Sequence, residues 1–143
     1  MTTASYNLSQ LGAQYVVNAW TPGITFGGAS TGITYTTQTG NWTRNANIVL
    51  IEAVIQLTSK GSATGAMQIT GLPITFPTIT GDFAVASTRI QNMTGLSGGT
   101  FASGSNGTSN MDVYQYTSTG FTSVTDTNVT DTMTVYFTLT CIA

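Results

Sequence analysis

The sequence predicts an all-β protein, an antiparallel β-sandwich or jelly roll, on three observations. Apolar residues alternate at period two with Thr, Ser and Gln over much of the chain. Turn signals built from Gly, Asn and Pro recur at intervals of roughly ten residues. No segment carries convincing helical periodicity, so six to eight short strands are expected.

Residues 1–22 stand apart from this pattern. Tyr6, Leu8, Leu11, Tyr15, Val16, Val17 and Trp20 are apolar, but their spacing fits neither a helix nor a strand. The segment is read as an N-terminal arm that lies along a partner, with a first strand plus loop as the alternative. Pro22-Gly23 then punctuates the chain, and residues 23–143 form the compact domain.

Ile33, Tyr35 and Thr37 alternate with Thr34, Thr36 and Gln38, and Thr39-Gly40-Asn41 is predicted to turn the chain into Trp42-Thr43-Arg44. Residues 47–58 make the strongest strand. Val49, Ile51, Ala53, Ile55 and Leu57 share one face, while Ile48, Leu50, Glu52, Val54 and Gln56 share the other. Both faces are largely apolar, which predicts a core on one side and a second layer, such as a neighbouring subunit, on the other.

Lys60-Gly61 and Gly65 bracket a turn, residues 66–70 form a short strand, and Pro73 and Pro77 place residues 72–79 on an edge or in a loop. Residues 82–90 alternate as a strand packed on small side chains. The Gly- and Ser-rich stretch 94–110 is predicted to be an exposed loop anchored by Leu96 and Phe101. Residues 111–116 form a strand, Thr119-Gly120 turns toward Phe121, and the last strand sets Met133, Val135, Phe137, Leu139 and Cys141 inward. That much apolar area places the last strand in the middle of its sheet.

Composition narrows the function. Of 143 residues, 6% are charged and 41% hydrophobic, with a formal net charge of −2. A disordered chain would be less hydrophobic and more charged. Arg44, Lys60 and Arg89 are too few and too scattered to neutralise a nucleic-acid backbone. A surface this poor in charge favours association with other subunits. The single cysteine, Cys141, excludes an intrachain disulfide framework, and no membrane-length apolar run occurs.

With no histidine, the chain cannot assemble a Ser-His-Asp triad, a Cys-His pair or a histidine metal site. Asp82, Asp126 and Asp131 sit beside turn signals, where Asp normally bends or caps the backbone. Asp126 to Asp131 offers closely spaced oxygens but lacks the Gly and distal Glu of a calcium loop. No catalytic residue, cofactor or metal is expected. Glu52, mid-strand on a mostly apolar face, needs a partner such as Arg44 or Arg89 if buried, which suggests an ion pair across a subunit interface formed by Leu50, Glu52 and Val54. Trp20, Trp42, Tyr35, Tyr114, Tyr116 and Phe121 suit either sugar stacking or core and interface packing.

The segment from Tyr35 to Pro73 resembles a module found at the C-terminal ends of phage tail-fibre proteins and in small phage structural proteins. The matching pieces are Tyr35 with Gly40-Asn41-Trp42-Thr43-Arg44, then Leu57-Thr58-Ser59-Lys60-Gly61-Ser62, Thr64-Gly65, and Ile69-Thr70-Gly71-Leu72-Pro73. With the closing strand 132–142, the likeness extends loosely over residues 24–143. It implies a jelly-roll domain that works as a homotrimer, similar in architecture to the tumour-necrosis-factor and complement C1q heads.

A tail-fibre protein would carry a long shaft before this module, where only about twenty residues precede it here. The resemblance therefore implies a capsid decoration, or cement, protein that binds the major capsid protein and stabilises the head lattice by mass action. Its capsid contact is assigned to residues 1–22, with Tyr6, Leu8, Leu11, Tyr15 and Trp20 as anchors. The alternative is a tail-fibre or receptor-binding head that recognises host surface glycans through the 94–110 loop and exposed aromatics. In either case the protein is expected in the virion, on the capsid surface or alternatively the tail, after synthesis in the host bacterial cytoplasm.

Overall fold

The computed structural model describes residues 17–78 and 84–142. Along the chain run β1 (Asn18–Trp20), β2 (Gly23–Phe26), β3 (Ile33–Asn45), β4 (Ile48–Lys60), β5 (Met67–Thr70), β6 (Val85–Met93), β7 (Thr100–Gly104), β8 (Met111–Thr117), β9 (Gly120–Ser123), one 3-10 turn at Asp126–Asn128, and β10 (Val129–Ile142). The protein is all-β and antiparallel, as the alternation predicts. Ten strands join in one sheet of order β1-β3-β4-β10-β6-β7-β8-β5-β2, with β9 added beside β8. No helix among the described residues is long and apolar enough to cross a membrane.

The sheet curls so that its two halves enclose a single core. β4 contributes Val49, Ile51, Ala53, Ile55 and Leu57, and β10 contributes Met133, Val135, Phe137 and Leu139. From the opposite half come Ile24, Phe26, Met67, Ile69, Met111 and Val113, all 1% exposed or less. The period-two pattern thus became two facing apolar layers. β10 lies between β4 and β6, with Thr138 opposite both Glu52 and Ser87, so the last strand is central as expected.

Tyr35 fastens the two ends of the curl. The Ile24 amide on β2 donates to the Tyr35 hydroxyl at 3.0 Å, and that hydroxyl donates to the Ile24 carbonyl at 3.4 Å. One phenol therefore satisfies backbone groups of β2 that face away from its ladder partner β5.

One predicted turn and the middle of one predicted loop are strand. β3 runs through Thr39-Gly40-Asn41 without turning, and the reversal comes at Ala46-Asn47, between the paired residues Asn45 and Ile48. Ala46 takes the positive φ of 54° that this tight connection needs. Gly40 serves instead as a buried flat spot beneath the indole of Trp20. The stretch 94–110 likewise contains β7, paired to β6 and β8. Its small residues are there for packing: Ala102 is fully buried, and a Cβ at Gly104 would lie 2.3 Å from the Phe76 ring.

Candidate functional site

β8 reads Met-Asp-Val-Tyr-Gln-Tyr-Thr, and its alternation sorts chemistry onto two faces. Met111, Val113 and Gln115 are buried, so Asp112, Tyr114 and Tyr116 point outward. Buried Gln115 is satisfied, because its Oε1 accepts from the Ser97 amide at 3.0 Å and so fastens the loop before β7. β7 sets Phe101 opposite Tyr114, and β9 sets Phe121 opposite Tyr116. Cross-strand pairing thereby gathers aromatic residues from three strands on one outer surface.

Their rings form a continuous cluster. Phe101 stacks on Tyr114 with centroids 5.4 Å apart and planes inclined by 25°, and lies 4.8 Å from Tyr116. Phe121 meets Phe101 and Tyr114 edge-on at 5.7 and 5.2 Å. These separations are the favourable offset and T-shaped geometries, so the rings hold one another in place. Even so, Tyr116 remains 54% and Phe121 63% exposed. Phe101, Tyr114 and Phe121, with Ser103 and Ser105, line a depression of about 260 Å³.

A polar row borders the rings. Thr25 Oγ1 donates to Gln68 Oε1 at 3.4 Å, and Gln68 Nε2 donates to Asp112 Oδ1 at 2.8 Å. Ser103 lies opposite Asp112 in the β7–β8 register. Partial burial, and secondly the Asp112 carboxylate, push the Tyr114 phenol above its ordinary pKa of 10.0. Tyr114 therefore stays a hydroxyl donor at neutral pH. The cations lie elsewhere: Arg44 donates to the Ala46 carbonyl, Lys60 to the Asp126 carbonyl, and Arg89 sits 5.4 Å over the Tyr136 ring.

The predicted interface residues share the opposite outer surface. Leu50 and Val54 are half-buried and Glu52 is exposed, so Glu52 does not need the buried partner its sequence context suggested. Glu52 stands between Asn41 and Thr138, and Val54 between Thr39 and Tyr136, around a shallow groove of about 310 Å³. Ile48 and Ile142, paired with each other at the end of this surface, are 53% and 60% exposed.

Of the predicted arm contacts, Tyr6, Leu8, Leu11 and Tyr15 lie outside the described residues. Trp20 is not an exposed anchor. It is 9% exposed in the core, pairs with Gly40 in β1–β3, and donates from its indole to the Glu52 carbonyl at 3.2 Å. A Trp three residues from Gly23 looks available for a partner only while Gly40 is taken for a turn.

The carboxylates beside turns act on the backbone. Asp126 Oδ1 accepts from the Gly65 amide and Asp131 Oδ1 from the Lys60 amide, both at 2.8 Å. Asp82 lies outside the described residues. Among the described residues, no three His, Cys, Asp or Glu side chains group as a metal site. Of the six aromatics considered for sugar stacking, Tyr114, Tyr116 and Phe121 come together, whereas Trp20, Trp42 and Tyr35 pack against the core. Phe101, expected only as an anchor of the 94–110 loop, joins the first three opposite Tyr114, and the Gln68–Asp112 pair was missed, because these places follow from the β7–β8 and β5–β8 registers.

No protein-family model and no curated protein matches the chain. Among solved structures, the crystal structure of the Dettilon tailspike protein gp208 matches with a TM-score of 0.73 and 18% sequence identity over 88% of this chain. The chain spans 23% of the length of that protein. At this identity the likeness establishes a shared all-β fold.

Proposed function

We propose that this chain is a non-enzymatic structural module of a bacteriophage virion, carried on the tail and assembled as a homotrimer through the outward face of β4. The observation that carries the reading is the fold match to part of a tailspike over 88% of the chain. The β4 surface supports self-association: Leu50, Val54, Ile48 and Ile142 supply apolar area, and Glu52 is the acidic group among them. A stable interface needs about 800 Å² from each partner, which an entire sheet face can provide. Asp126 and Asp131 each accept from a backbone amide, as carboxylates that brace turns do, which supports a non-catalytic role.

Capsid decoration, with the major capsid protein as partner, is the second reading. It is favoured by the same charge-poor β4 surface, since a trimer bound only to the assembled lattice would stabilise that lattice by mass action. Gold-tagged antibody on intact virions separates the two, with label at the tail expected and label spread over the head overturning the tail placement. Native mass spectrometry tests assembly. The wild-type chain should be a trimer and Val54→Asp a monomer; a monomeric wild type would overturn the homotrimer.

A further inference from the structure

We propose that the outward face of β7, β8 and β9 is a binding site for a neutral sugar, with one pyranose ring seated against Phe101, Tyr114 and Phe121. It extends the tail reading and rests on it for a biological ligand, while the binding itself is a property of the chain's own residues. Three features select a sugar. First, Phe101 and Tyr114 stack at 5.4 Å and Phe121 stands edge-on to both at 5.2–5.7 Å, yet Phe121 remains 63% exposed, so an apolar platform with one upright ring at its edge exists before any ligand arrives. The C–H face of a pyranose is a suitable partner for such a platform, and pre-ordered rings lower the entropic cost of binding.

Second, polar groups of the kind hydroxyls need lie beside the platform. Ser103 and Ser105 line the depression, and Asp112 stands one pleat from Tyr114 with its Oδ1 held by Gln68 Nε2 at 2.8 Å. That bond orients the carboxylate and leaves Oδ2 to accept from a ligand hydroxyl. Third, Arg44, Lys60 and Arg89 all have partners elsewhere, so no cation selects an anionic ligand. The volume, about 260 Å³, lies below the roughly 300–1,000 Å³ of sites for drug-sized ligands and suits a single ring.

The test is saturation-transfer NMR on the full 143-residue chain with the methyl glycosides of glucose, galactose, mannose, rhamnose and N-acetylglucosamine, followed by an array of neutral oligosaccharides. At least one glycoside should bind with about millimolar affinity. Phe121→Ala and Asp112→Asn should each weaken binding about tenfold with an unchanged far-UV circular dichroism spectrum, and Ser103→Ala is the fallback variant if either fails to fold. Absence of binding to every probe, or binding unaffected by Phe121→Ala, would overturn the site. Conversion of an oligomer to monomer by Phe121→Ala would also overturn it, because the surface would then be a subunit contact. Tail label without sugar binding removes this site and leaves the tail reading intact; sugar binding with head label does the reverse.

Discussion

Trp20 and Gly40 face each other across the β1–β3 ladder, and the indole fills the space that a side chain at position 40 would occupy. A Cβ built on Gly40 would lie 2.2 Å from Trp20 Nε1. Gly40→Ala must therefore displace the indole and break its hydrogen bond to the Glu52 carbonyl. Overpacking of this kind costs about 1–3 kcal/mol. The expected outcome is a lower denaturation midpoint with red-shifted tryptophan emission, and an unchanged midpoint would show that β1 yields freely.

Phe137 is 2% exposed in the central strand and lies opposite Ala53 on one side and Thr88 on the other. Its replacement by Ala leaves a cavity that the flanking strands cannot collapse into, at a cost of about 3–5 kcal/mol. Equilibrium urea denaturation of Phe137→Ala beside Tyr136→Ala, whose ring is on the outer surface, should show the large loss only for the first.

The half-buried Asp126 carboxylate holds the Gly65 amide, and the Lys60 ammonium reaches the Asp126 carbonyl. Asp126→Ala should cost about 1.5–3 kcal/mol, as loss of a hydrogen bond to a charged group does. Since Asp126 and Asp131 already accept from backbone amides, calcium and a chelator should leave the melting temperature unchanged. A calcium-dependent rise would reassign this loop.

Tyr114 supplies a pH signature. Its phenol ionises less readily in the folded state than the ordinary 10.0, through partial burial and then the Asp112 charge. Above about pH 10 the unfolded chain releases a proton that the folded chain retains, so this contribution holds below that pH and is lost as pH rises toward the native pKa. Denaturation midpoints measured from pH 8 to 11 should fall more steeply for wild type than for Tyr114→Phe. Parallel curves would place Tyr114 in full solvent.

The long alternating strands were legible because burial of one face leaves a mark on every second residue: Val49 to Leu57 and Met133 to Leu139 needed no other information. Positions whose role is set by a distant partner were not legible. Gly40 resembles a turn glycine until Trp20 is placed over it, and Thr-Phe-Ala-Ser-Gly at β7 resembles a linker until Phe76 is seen to require small neighbours. The same limit governs the aromatic surface. Tyr114 and Tyr116 share a face by local alternation, but Phe101, Phe121 and Gln68 join them only through strand registers that a one-residue slip would reverse.

The placement of β10 between β4 and β6 has a kinetic consequence. Both of its ladders join residues far apart in the chain, so considerable loop entropy is lost before either ladder is rewarded. Sheets of such non-local pairing fold in roughly milliseconds to seconds, far slower than helical bundles. Until β10 inserts, β4 exposes an unpaired apolar edge and β6 an unpaired, more polar one, which is the form of the chain most prone to aggregate. Refolding yield should thus fall as protein concentration rises, even where the folded molecule itself is highly soluble.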